Sequence, residues 1–297
     1  VIAAVAATGI WSVSSLASAR GARHLGGISA NLVRLGAALP LLAAGALLLG
    51  TAPWAAAHQA GGGWFLASGL LGMGLCDILV LSAYPRLGAR VTSLAVNACA
   101  APVAALIGWG WLGEHPGPLQ AVAMLAILVG VVLVLRLRPG DRFDLVGVAC
   151  ALAGGATFAC SGVMSRLGFA QAVAAGQPVH WLDSAVLRVA AGLALCVAAF
   201  VIAARFDRAW RDGPGRWRQA MPWLLLNACL GPGLGLVCYQ WALTTTSAAE
   251  VHAILAAVPV LVMVVIWIQG EERPDPLSVA GTLAAMAGVA GLALLRA

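Results

Sequence analysis

Residues 102–114 read PVAALIGWGWLGE, and residues 259–271 read PVLVMVVIWIQGE. Each is an apolar run opened by Pro-Val and closed by Gly-Glu, and the two lie 157 residues apart. The same spacing returns Leu79-Val80 as Leu236-Val237. One residue more aligns Pro118-Leu119 with Pro276-Leu277, and Gly130-Val131 with Gly288-Val289. Near the start of each half, Asn31-Leu32-Val33-Arg34 parallels Ala185-Val186-Leu187-Arg188 at a spacing of 154. Matches that keep their order at a near-constant offset mark an internal duplication.

Around these runs the chain is too apolar for water. Of its 297 residues 62% are apolar and 9% charged, with a mean hydropathy of +0.95. A soluble domain carries about 25% charged and about 45–50% apolar residues. An aqueous enzyme, a nucleic-acid binder and a disordered chain are excluded, because none could keep this much apolar surface out of water. The chain reads as a polytopic membrane protein. Its net charge of +6 comes from 17 basic residues, every one of them Arg. Scattered loop arginines of a membrane protein account for that charge without nucleic acid. The seven cysteines fall inside apolar runs with no CxxC spacing, so they read as small hydrophobic filler, and no metal or cofactor is expected. Val1 stands at an apolar stretch without a preceding Met, so a few residues are expected to precede it.

A bilayer core about 30 Å thick takes roughly 20 residues of helix at a rise of 1.5 Å. Cutting the chain at its Arg, Asp, Gly and Pro clusters gives ten such stretches: 1–19, 28–49, 64–84, 91–112, 119–135, 145–164, 184–204, 221–243, 248–268 and 277–295. The expected fold is therefore all-α, with ten transmembrane helices in two repeats, 1–138 and 144–297, joined by a linker at 139–143. Five spans per half is an odd number, so the second repeat enters the membrane from the opposite side. The repeats are then inverted, as in many secondary transporters.

The sequence resembles the EamA family of the drug/metabolite transporter superfamily. The resemblance rests on Trp11 and Phe158 early in each half, Arg34 and Arg188 opening the second span of each, and the proline-bearing fourth spans that run into Gly113-Glu114 and Gly270-Glu271. In the second copy Gln269 stands where the family usually has Leu. The resemblance covers essentially the whole chain. It implies a ten-helix carrier for small metabolites, often an exporter, with a cavity between the halves.

Many relatives keep both termini in the cytoplasm, and here the loop charge disagrees. The odd-numbered connections carry 13 arginines, whereas the even-numbered ones and the C-terminus carry only Arg166 and Arg296. Positive loops stay cytoplasmic, so both termini are expected outside. The location expected is the inner (plasma) membrane of a bacterium.

Helix interruptions at matching places point to a carrier's site. Gly69, Gly72 and Gly74 lead into Asp77, and the eighth span carries Gly231-Pro232-Gly233-Leu234-Gly235. A carboxylate inside a span costs about 2.5–3.5 kcal/mol on insertion scales, so Asp77 needs a reason to be there. It either pairs with Arg34 or Arg188 to lock helices, or binds a proton or the solute. Arg34 and Arg188 either snorkel or neutralise Asp77 or an anionic part of the cargo. Asn97 and Asn227 are interhelical amides or ligand contacts. Trp11, Tyr84, Tyr239, Gln240 and Trp241 complete the expected substrate-binding set. Glu250 and His252, in the first turns of the ninth span, join Asp77 as proton-coupling candidates, with a plain charge at the helix N-terminus as the other reading of Glu250.

The function expected is secondary transport of a small organic solute, outward, by alternating access and with proton coupling open. No G-x-x-x-x-G-K-[ST] is present, so ATP is not hydrolysed by that route. The expected partners are the solute and the lipid bilayer, with a homodimer left open and no nucleic acid. An intramembrane enzyme on lipid-linked substrates is the alternative, but the five dispersed histidines form no HExxH and Ser161-Gly162 lacks the flanks of a serine-hydrolase motif. A passive channel would need a polar row along a span.

Overall fold

A computed structural model describes residues 1–113, 117–135, 144–206, 214–268 and 276–294. Glu114, Gln269, Gly270, Glu271 and the 139–143 linker lie outside them. Among the described residues all regular structure is helical. In chain order the helices are α1 (Ile2–Leu48), α2 (Pro53–Ala56), α3 (Gly62–Gly69), α4 (Asp77–Ile107), α5 (Pro118–Leu135), α6 (Leu145–Ala174), α7 (Trp181–Phe206), α8 (Pro214–Ala228), α9 (Leu236–Thr245), α10 (Ala248–Leu255), α11 (Val258–Ile268) and α12 (Pro276–Leu294). Three π-helical segments join them: Leu70–Cys76 between α3 and α4, Gly108–Leu112 after α4, and Cys229–Gly235 between α8 and α9.

Among the described residues, seven stretches are long and apolar enough to cross a bilayer: Ile2–Leu48, Gly62–Ala89, Val91–Trp111, Leu145–Ala174, Trp181–Arg205, Gly215–Thr245 and Ala248–Val265. Two shorter apolar helices, Pro118–Gly130 and Val279–Gly288, accompany them. The chain is a multi-pass membrane protein. Two of its helices turn sharply on glycine. Gly26 within α1 has φ 73° and ψ 176°, and Gly88 within α4 has φ 78° and ψ 168°. Residues with a β-carbon rarely adopt such a φ, so glycine is what allows each turn.

Small residues set how the halves meet. Along α6, Gly147 abuts Leu87, Gly154 abuts Val80, and Gly168 abuts Phe65. The numbers rise on α6 as they fall on its partner, so α6 runs antiparallel to 62–89. A second seam repeats this geometry with the halves exchanged. Trp11 reaches Gly231, Ser14 reaches Asn227, and Gly21 abuts Leu224, so the first part of α1 runs antiparallel to α8. By contrast α7 runs parallel to the first π segment: Gly69 abuts Arg188, Met73 abuts Gly192, and Gly74 abuts Leu195. Small-residue seams suit a membrane, where lipid is as apolar as any core and close packing must hold the helices together.

The two ends of the bundle differ in charge. Arg20 lies over the Trp223 ring at 4.6 Å, and Arg86 pairs with Asp144 at 3.0 Å. Both contacts are at the end where α6 and α8 begin. Asp144 also caps α6, accepting from the Gly147 N–H at 2.8 Å. That bond, followed by Arg86, holds its carboxyl below the usual carboxylate range. At the far end Arg166 donates to the carbonyls of Leu243 (3.1 Å) and Thr244 (2.9 Å), covering the free C-terminal carbonyls of α9. On the outside α5 packs against α12 and presents Leu119, Val122, Leu125, Leu283 and Met286, as lipid-facing helices do.

Candidate functional site

The cavity forms where the interrupted helices face each other. A π segment leaves a turn of backbone loosely wound, and such segments recur at functional sites. The two matched ones, Leu70–Cys76 and Cys229–Gly235, both line one cavity with an empty volume of about 810 Å³, solvent-open space included. Gly72, Met73 and Cys76 come from the first, Gly231 and Pro232 from the second. α1 contributes Trp11, Ser14, Ser15, Ser18 and Arg34. α4 contributes Asp77, Val80, Leu81, Tyr84, Ser93, Val96 and Asn97, and Phe158 and Val258 complete the wall.

Asp77 sits at the first residue after the π segment, with its carboxylate paired to Arg34. The two side chains are 15% and 8% exposed, so the pair is shielded but reaches the cavity. Arg34 also donates from Nη1 to Asn227 Oδ1 at 3.2 Å. The Asn227 amide nitrogen in turn donates to Ser14 Oγ (2.6 Å), Ser18 Oγ (2.6 Å) and the Ser14 carbonyl (3.0 Å). One polar chain, Asp77–Arg34–Asn227–Ser14/Ser18, thus ties α4, α1 and α8 together across the halves. Asn227→Ala strips the acceptor from Arg34 and the donor from both serines. It is expected to cost about 1–3 kcal/mol, read as a fall in melting temperature of the purified protein, while Ser15→Ala leaves it nearly unchanged.

A second polar cluster lies behind the cavity in the other half. Arg188 is fully buried, donating from Nη1 to Gln240 Oε1 (2.5 Å) and from Nη2 to Ser161 Oγ (3.2 Å). Gln240 donates onward to Ser184 Oγ at 2.9 Å. The Arg188 guanidinium lies 5.3 Å over the Tyr239 ring, whose hydroxyl meets His252 Nε2 at 3.2 Å. Trp11, Phe158 and Tyr239 form an aromatic partition between cluster and cavity, with centroids 5.3–5.7 Å apart. The Trp11 indole N–H donates to the Gly231 carbonyl at 3.0 Å, a carbonyl of the loosened π segment.

The cavity lies nearer the arginine-bearing end of the bundle. Ser18, Tyr84 and Ser93 carry its lining to within a turn of Arg20, Arg86 and residue 90. Towards the far end every residue of α10 is buried. There Thr8 donates to the Ile254 carbonyl (3.4 Å) and Ser12 to that of Val258 (3.2 Å).

Of the residues expected from sequence, Trp11, Arg34, Asp77, Tyr84 and Asn97 line the cavity. Asn227 stands one hydrogen bond behind it. Arg188, Tyr239, Gln240 and His252 form the buried cluster. Asn97 donates its amide back to the Ser93 carbonyl at 2.8 Å. Trp241 stands apart, half exposed and stacked on Trp181 at 6.2 Å. Glu250 is buried in the first turn of α10, which Ser247 caps by accepting from the Glu250 N–H at 3.3 Å. The sequence reading overlooked the serines. Ser14-x-x-x-Ser18 returns as Ser161-x-x-x-Ser165 at the 147-residue spacing that relates Trp11 to Phe158. Asn227 holds the first pair, and Ser68 holds the second through the Ser161 carbonyl (2.6 Å) and Ser165 Oγ (2.8 Å).

Comparison with known proteins agrees with this architecture. No curated protein matches the chain. A crystal structure described only as that of a protein superposes with a TM-score of 0.75 at 17% identity, over 99% of this chain and 96% of the other. That likeness shows a shared fold. The EamA-like transporter family matches residues 1–136 and again 145–294, one copy over each half. With two family copies meeting at one cavity, the chain belongs to the EamA-like transporter family.

Proposed function

We propose that this chain is a secondary carrier that exports small organic solutes by alternating access. The observation that carries this reading is the cavity, walled by matched segments of both halves. A carrier needs one site that meets each side in turn, and two similar half-structures can exchange roles to provide it.

In this reading the chain crosses the membrane ten times, in repeats divided as 1–138 and 144–297. A straight 47-residue helix would be about 70 Å long, more than twice the bilayer core, so α1 crosses twice about Gly26. Gly88 divides 62–89 from 91–112 in the same way. The two antiparallel seams support inversion, because each ties an odd-numbered span of the first repeat to an even-numbered span of the second. The arginine-bearing end is cytoplasmic and the termini are outside, which the positive-inside rule supports. The cavity then lies nearer the cytoplasmic face of a bacterial inner membrane, the side from which an exporter takes its cargo. Asp77 is the proton-coupling candidate on the cavity wall. Glu250 and His252 are buried off the cavity wall, towards the far end.

Purified protein in proteoliposomes tests this. Saturable counterflow of a labelled solute is expected, whereas unit conductance in a planar bilayer would identify a channel.

A further inference from the structure

The two arginines that the repeat relates are not treated alike. Arg34 has Asp77, so that pair is neutral. At the 157-residue spacing, the position matching Asp77 is Leu234. Arg188 accordingly forms no ion pair among the described residues and is 0% exposed. Its two Nη atoms are held by the neutral partners Gln240 and Ser161, and its Nε has no partner. The Tyr239 ring offers a cation–π surface but no charge. A buried charge with no opposite charge in contact is costly, and intramembrane cations of this kind mark ligand sites by default.

Arg188 is also within reach of the cavity. A β-carbon on Gly72, a lining residue, would stand 2.7 Å from Arg188 Nη2. Beside the aromatic partition, then, Gly72 backed by Ser161 and Arg188 forms a thin stretch of the wall. Around that wall the lining is Met73, Trp11 and Phe158, which suits an apolar body.

Resting on the carrier reading, we propose that Arg188 is the counter-charge for the cargo and that the cargo is a small monoanion, a carboxylate on an apolar body. Arg34 and Asp77 offset each other, so Arg188 is the cation beside the cavity that a carboxylate on the cargo would meet. Gln240 and Ser161 fix the guanidinium in place with Nη2 directly behind Gly72, and Arg34 is kept from competing by Asp77.

Thermal-shift and calorimetric titrations of the purified protein in uncharged detergent test this with three probes of one shape: phenylacetate, phenylacetamide and phenethylamine. Phenylacetate is expected to bind and raise the melting temperature, with the amide and the amine at least about tenfold weaker. Arg188→Gln is expected to weaken phenylacetate on the order of 30-fold or more, and Arg188→Lys to recover part of it. If Arg188→Gln does not fold, the ranking of the three probes on the unmodified protein decides. Preference for the amine or the amide would overturn the proposal, as would no binding by any probe, or stabilisation by phosphatidylglycerol alone. Counterflow separates the two readings: exchange of cationic or neutral solutes but not phenylacetate removes the anion site and leaves the carrier.

Discussion

Asp77→Asn is expected to lower counterflow at least about 100-fold while folded protein remains in the membrane. The substitution keeps the size and an acceptor oxygen of the carboxylate and removes its charge. Arg34 then loses its counter-charge at the cavity wall, where an intramembrane carboxylate is a functional group by default. Arg34 keeps its bond to Asn227, so the seam between α1 and α8 survives and the damage falls on the cavity wall. Gel filtration and melting temperature report folding, and counterflow reports function. Asp144→Asn, at the exposed pair with Arg86, is the matched control and is expected to transport normally, since exposed pairs contribute only about 0–1 kcal/mol. Unaltered transport by Asp77→Asn would remove the carboxylate from the mechanism.

The largest structural effect is expected at Gly155, where α6 meets α4. A β-carbon there would collide with the Val96 carbonyl oxygen and stand 2.9 Å from Cys99 Cβ. The obstacle is backbone, which cannot rotate aside. Gly155→Leu is therefore expected to cost more than about 3 kcal/mol and to leave little folded protein in the membrane. Gly36→Ala, with open space around the glycine, is expected to melt like the unmodified protein. Comparable yields and melting temperatures for both would mean that α6 and α4 do not pack as described.

The fold was legible because a membrane imposes a length on every crossing and because the halves repeat. Asp77 and Arg34 were legible for a related reason: charge in hydrocarbon demands a partner, so two such residues in neighbouring spans invite pairing. The cavity lining was only partly legible. Lipid and protein interior are equally apolar, so the pattern that separates core from surface in a soluble helix is missing here. Trp241 and Tyr239 therefore look alike in sequence, yet one stacks outside on Trp181 and the other is fully buried beside Arg188. Ser14 and Ser18 carried a usable signal in their return as Ser161 and Ser165. It sat at a spacing of 147 rather than 157, because the halves differ in length between spans. The turn at Gly26 was not legible, since a Gly-Gly pair beside arginines reads equally well as a loop.

Everything functional depends on the two halves being inverted. Compartment reporters inserted after His24, following the first crossing, and after Gly176, following α6, test that directly. The first is expected to report the cytoplasm and the second the outside. Both reporters on the same side would mean parallel halves, and the carrier described here would be wrong.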